Sequence, residues 1–119
     1  MAAPFDFQFR SKVVQAADEL GYKIHKKGTV ITIEGPRFST KAESNLFRSW
    51  GADVINMSTV PEITLANELK LPYCSIAMAT DYDCWKQDEE SVTMDLILKR
   101  MQSNSDRVKK LITNTLKII

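Results

Sequence analysis

The sequence predicts an α/β domain in which helices flank a mixed, partly parallel sheet. Three observations carry this: β-branched or continuous apolar runs at residues 29–33, 54–57 and 73–79, apolar residues at helical spacing between and around them, and turn or cap residues at the junctions. Strands that alternate with helices join through right-handed crossovers, which lay successive strands parallel. With 119 residues the chain makes at most one domain. A domain of that length can bury roughly two-thirds of its unfolded surface.

Phe9, Val13, Ala16, Ala17 and Leu20 recur at helical spacing and stop at Gly21, a residue suited to the left-handed turn after a helix. Thr29-Val30-Ile31-Thr32-Ile33 favours a strand, and Tyr22 to His25 is expected to pair with it through a turn at Lys27-Gly28. Thr40-Lys41-Ala42-Glu43 is a capping box, opening a helix whose apolar face carries Leu46, Phe47 and Trp50 and which closes at Gly51. Val54-Ile55-Asn56-Met57 is the next strand. Thr59-Val60-Pro61-Glu62 repeats the capping pattern with proline tolerated in the first turn, and that helix runs on through Leu65 and Leu69.

After Pro72, Tyr73-Cys74-Ser75-Ile76-Ala77-Met78-Ala79 is too continuously apolar for a half-exposed strand, so it predicts a central strand covered on both faces. Asp88-Glu89-Glu90 then precedes a helix with Met94, Ile97, Leu98 and Met101 on one face, the acids suiting the positive end of its dipole. Val108, Leu111, Ile112 and Leu116 continue the period.

Charge and cysteine usage exclude several classes of function. The net charge is +1, from 16 basic and 15 acidic residues, and the basic ones are scattered, so no phosphate-tracking patch for nucleic acid is expected. Lys23, Lys26 and Lys27 read as a solvated turn, as does the lone His25. No window approaches the about 18 apolar residues of a membrane span, and the first residues lack a signal-peptide pattern. A soluble, cytoplasmic chain is expected, with the nucleus as a second compartment. Cys74 and Cys84 have no metal or redox spacing and read as reduced packing residues.

The strand ends have a functional consequence. Glu34-Gly35-Pro36-Arg37-Phe38, Asn56-Met57-Ser58-Thr59 and Thr80-Asp81-Tyr82-Asp83 each follow a predicted strand, so their polar residues would gather on one sheet edge. In open α/β sheets small molecules bind at that edge. Asp81 and Asp83, one residue apart, could equally be solvated turn acids or paired carboxylates for acid chemistry. Arg37 is expected to pair with a nearby acid.

Three long, ordered motifs, Glu34-Gly35-Pro36-Arg37-Phe38-Ser39, the run from Gly51 through Met57-Ser58-Thr59-Val60-Pro61-Glu62, and Ala77-Met78-Ala79-Thr80-Asp81-Tyr82-Asp83-Cys84-Trp85, resemble the trimeric purine nucleoside phosphorylase family. The resemblance covers almost the whole chain. It implies a three-layer fold and a pentosyltransferase reaction in which inorganic phosphate, a co-substrate, cleaves the N-glycosidic bond of a purine nucleoside without metal or organic cofactor. Within the family the motifs are nearest the branch that converts S-methyl-5′-thioadenosine to adenine and 5-methylthioribose 1-phosphate, in methionine and purine salvage.

By position the resemblance implies that Asp81 and Asp83 are catalytic and read the adenine 6-amino group and N7, with Tyr82 beside them. Phe38 would lie against the purine, Ser39 near it as a selectivity position, Met57 against the ribose, and Ser58 would offer a hydroxyl to phosphate. Met94, Ile97 and Leu98 would wall the pocket for the 5′-methylthio group. Relatives often carry threonine at Ser58 and valine at Met94 and Ile97. They are also much longer, and Met1-Ala2-Ala3-Pro4-Phe5 resembles an internal stretch of them, so residues 1–119 are expected to be one partial domain of a homotrimer subunit, without the N-terminal phosphate loops.

Two rivals remain at this stage. A phosphorylase for 6-oxopurine nucleosides (inosine, guanosine) shares the Met57-Ser58-Thr59-Val60-Pro61-Glu62 signature but typically has asparagine at position 81. A noncatalytic relative that only binds nucleoside, or packs into a trimer, is the other.

Overall fold

The computed structural model describes residues 1–86 and 94–119. The acidic stretch Asp88-Glu89-Glu90 lies outside the described residues, and so do the side chains of Met94 and Ile97. The chain is α/β, as expected, and its elements run α1 (Phe7–Glu19), β1 (Val30–Thr32), α2 (Lys41–Ser49), β2 (Val54–Asn56), α3 (Thr59–Glu68) and α4 (Met94–Thr115).

Helix α1 begins where the Asp6 carboxylate accepts the Phe9 N–H at 2.6 Å, satisfying a donor that has no partner within the helix. It ends in a left-handed turn at Gly21 (φ 66°), with Tyr22 N–H donating to Ala17 C=O. The face carrying Val13, Ala16 and Ala17 is buried against Leu111 of α4, because two alanines let the second helix come close. Leu20, Tyr22, Ile24, Cys74, Ile76 and Ile118 pack around this core. Burial pushes the Cys74 thiol up from its ordinary pKa, as befits a packing residue.

β1 and β2 pair in parallel, Val30 opposite Val54, Ile31 opposite Ile55 and Thr32 opposite Asn56, joined by the α2 crossover. A second layer of order comes from the α2 N-terminus, where the predicted capping box forms in full. At α3 the expected box does not form. Ser58 occupies the cap position without a side-chain bond, and Asn56 takes over, accepting the Thr59 N–H at 3.4 Å and donating to the Thr59 hydroxyl.

Three further expectations are corrected. Residues 73–79 make no ladder with β1 or β2; Cys74 and Ile76 turn instead onto the core between α1 and α4, while Ala77, Met78 and Ala79 are exposed. A strand needs a hydrogen-bonded neighbour, and among the described residues no ladder joins this run to β1 or β2. Residues 22–25 form no hairpin with β1, since Tyr22 and Ile24 are also drawn to the core. On α2, Leu46 and Trp50 are exposed and the buried residue is Ser44; on α3, Leu65 and Leu69 are exposed and Ile63 is buried.

The uncovered apolar residues have a global counterpart. A compact monomer of this mass presents about 6,500 Å² of surface, whereas this chain presents 9085 Å². Its radius of gyration is 15.6 Å, against about 13–14 Å for a compact domain of similar length. Among the described residues no helix is long and apolar enough to cross a membrane.

Candidate functional site

Because β1 and β2 are parallel, the segments that follow them leave from the same edge of the sheet. There Gly35 meets Met57: a Cβ on the glycine would stand 3.1 Å from Met57 Sδ. The first two predicted ligand segments are therefore in contact. Asn56 ties the same edge together by accepting the Thr32 hydroxyl at 2.8 Å while it holds the start of α3. Ser58 is exposed at that helix start, where free N–H groups favour an anion.

The third segment, residues 80–86, reaches the site by side chains. Cys84 Sγ lies 3.4 Å from the Ser39 carbonyl, the Arg48 guanidinium of α2 stacks 3.8 Å from the Trp85 ring centroid, and Arg100 of α4 donates to the Thr80 carbonyl. This loop thus bridges α2 and α4. Within it the Thr80 hydroxyl donates to Asp81 at 2.7 Å, and Asp83 accepts the Cys84 N–H at 2.8 Å. Tyr82 and Trp85 meet edge to face, and Lys86 lies over the Tyr82 ring.

Asp81 and Tyr82 are exposed and Asp83 is half-buried, while Phe38 is 80% exposed, more than any other large apolar side chain at this edge. An exposed aromatic face can stack on a planar ring, and carboxylates can accept hydrogen bonds from such a ring's edge. Ser39 joins this group through its contact with Cys84. Leu98 is exposed on α4, the helix that Arg100 links to the loop.

A cleft of about 570 Å³ opens beside the same edge, walled by Ile33, Glu34, Gly35, Pro36, Arg37 and Glu43. Phe38, Met57 and the two aspartates are not in its walls. Arg37 is paired as expected: its guanidinium grips Glu43 with two hydrogen bonds, 2.7 and 2.8 Å. That contact, followed by the bonds from the Thr40 backbone and hydroxyl, holds the Glu43 carboxyl at about 2, well below the usual range. Sequence reasoning missed Arg48, Arg100 and Cys84 as supports of the acidic loop. Their roles depend on contacts between residues far apart in the chain, and no local pattern announces them.

A crossover-linked parallel strand pair, with candidate ligand segments leaving its carboxyl edge, is the arrangement of an α/β protein that binds small molecules at that edge. The chain belongs to the phosphorylase superfamily, whose match spans residues 1–117. It is 55% identical over 112 residues to S-methyl-5′-thioadenosine phosphorylase of Danio rerio, covering 94% of this chain and 40% of that protein. Against the Xenopus tropicalis enzyme of the same name the identity is 58% over 107 residues, covering 90% of this chain and 38% of the relative.

Among solved structures, methylthioadenosine phosphorylase from Schistosoma mansoni in complex with adenine superposes with a TM-score of 0.92 at 36% identity, over 99% of this chain and 47% of that one. A mutant of the Schistosoma mansoni adenosine/methylthioadenosine phosphorylase in complex with methylthioadenosine gives a TM-score of 0.90 at 34% identity, over 99% and 46%. This chain spans about two-fifths of the length of the curated relatives it matches.

Proposed function

We propose that the chain carries the purine-reading part of a phosphorylase for S-methyl-5′-thioadenosine. The observation that bears most weight is the meeting of the Asp81 and Asp83 loop with Ser39, at the edge where β1 and β2 both end. Phe38 stacks on the base, Asp81 accepts from the 6-amino group, and Asp83 hydrogen-bonds or protonates N7. Met57 contacts the ribose, Ser58 a phosphate oxygen, and Met94, Ile97 and Leu98 the 5′-methylthio group.

In the reaction a phosphate oxygen forms the new bond to C1′ of the ribose as the bond from C1′ to N9 breaks. The electron pair of that bond goes to the purine, and a proton delivered at N7 lets adenine leave neutral. Phosphate is the co-substrate and no metal or organic cofactor takes part. The working form is a homotrimer in the cytoplasm, with the nucleus as a second compartment, serving methionine and purine salvage.

Asp81 favours adenine over 6-oxopurines. A 6-oxo group would face a carboxylate acceptor with acceptor, a mismatch that costs about 1–3 kcal/mol when buried. The test is phosphate-dependent release of base from methylthioadenosine and from inosine. Adenine release that outpaces hypoxanthine release is expected; a preference for inosine, or release that does not depend on phosphate, would sink the reading.

A further inference from the structure

Phe38 and Ser39 lie between two residues that a single carboxylate holds. Glu43 Oε1 and Oε2 accept from Arg37 at 2.7 and 2.8 Å, on the near side of the pair, and Oε2 also accepts the Thr40 N–H at 2.7 Å and the Thr40 hydroxyl at 2.8 Å, on the far side. Arg37 adds a bond to the Phe38 carbonyl at 3.1 Å. Every one of these donors flanks or belongs to the loop, and the acceptor is anchored in the first turn of α2. Phe38 itself has no such anchor: its ring is 80% exposed, so packing does little to fix its direction. Something else must set it.

We infer that Glu43 is a positioning residue for base recognition, a clip that closes the ends of the Phe38 and Ser39 loop and so fixes the angle at which the Phe38 ring meets a planar ligand. This rests on the reading of Phe38 as a purine contact. A capping box alone would need only Thr40 and Glu43. The second carboxylate oxygen, committed to Arg37, is what turns a helix cap into a loop closure. Arg37 contributes by geometry: its planar fork matches both carboxylate oxygens at once, which lysine could not do. An unclipped loop would have to be ordered on each binding event, a cost that weakens affinity without touching the reacting groups.

The prediction separates binding from chemistry. Glu43→Ala and Arg37→Met should each weaken adenine binding about tenfold, and the double variant should be no worse than the poorer single one, because both remove the same closure. Where turnover is measured, KM should rise and kcat stay within twofold. Glu43→Gln, which keeps an acceptor for Thr40, should recover part of the loss.

Adenine titration by calorimetry, with amide hydrogen exchange at Thr40 in the same samples, tests this on residues 1–119. Faster exchange at that amide, whose N–H donates to Glu43, together with weaker adenine binding, while the amides of α1 keep their protection, is the expected result. Faster exchange with adenine affinity within twofold of the parent would overturn the proposal, as would weakened binding with unchanged exchange, since Glu43 would then touch the ligand itself. A parent chain whose α1 amides are protected but which does not bind adenine would instead overturn the purine reading, and the positioning role with it.

Discussion

Gly35 and Met57, 22 positions apart, meet closely at the carboxyl edge of the parallel strand pair: a Cβ on the glycine would sit 3.1 Å from Met57 Sδ. The contact links the segment after β1 to the segment after β2. Because the obstructing atom is near the end of a flexible thioether side chain, Gly35→Ala should fold normally and move Met57 by a few tenths of an ångström. If Met57 lines the ribose, affinity for methylthioadenosine should fall roughly threefold while free adenine is unaffected. The methyl resonance of Met57 and parallel titrations with the two ligands check both halves, and equal losses for nucleoside and base would move Met57 out of the ribose site.

The roles proposed for the two aspartates are separable by experiment. In the complete enzyme, Asp83→Ala should lower phosphate-dependent turnover by about a hundredfold or more, within the range for loss of a general acid, and Asp83→Asn should be less harmful if a hydrogen bond suffices. Turnover within twofold of the parent in both would remove Asp83 from the mechanism. Asp81→Asn should shift preference toward inosine, because an amide can donate to a 6-oxo group. An unchanged ratio of kcat/KM for methylthioadenosine and inosine would mean that another residue reads position 6.

Two substitutions test the packing with opposite signs. Leu111 is 4% exposed in the core with Val13, Ala16 and Ala17, so Leu111→Ala should destabilise by about 2–4 kcal/mol. The Ser44 hydroxyl is buried without a hydrogen-bond partner among the described residues. Ser44→Ala removes that orphan and improves helix propensity, so it should stabilise by up to about 1 kcal/mol. Urea denaturation of the two variants is the measurement, and a destabilised Ser44→Ala would mean that the hydroxyl has a partner in solution.

Tyr73 gives a pH signature. Its hydroxyl donates to Glu62 at 2.6 Å, and that bond, ahead of burial, pushes the phenol up to about 12. The neutral phenol is the form the fold favours. Its contribution to stability is therefore fully present below the usual phenol value of about 10 and is lost as pH rises through about 12. The phenolate absorbance step that Tyr73→Phe removes should lie near 12; a step near 10 would show that the bond to Glu62 does not persist in solution.

The α1 helix, the α2 capping box, the β1 and β2 strands and the meeting of the two segments that follow those strands were legible in the sequence. Each rests on interactions within a few residues: apolar spacing along Val13, Ala16 and Ala17, the reach of Thr40 to Glu43, the β-branching of Val30 and Ile31. Burial of residues 73–79 on both faces was not decided locally. The run is apolar enough for a central strand, yet a ladder requires a neighbour whose backbone lies alongside, and here Cys74 and Ile76 pack on α1 and α4 instead. The support of the acidic loop by Arg48, Arg100 and the Ser39 carbonyl belongs to the same class, as does the double grip of Arg37 and Thr40 on Glu43. Composition and periodicity set which side chains are available and which local segments form. Which of them meet across long sequence separations depends on how the chain folds back on itself, and only the tertiary structure decided that.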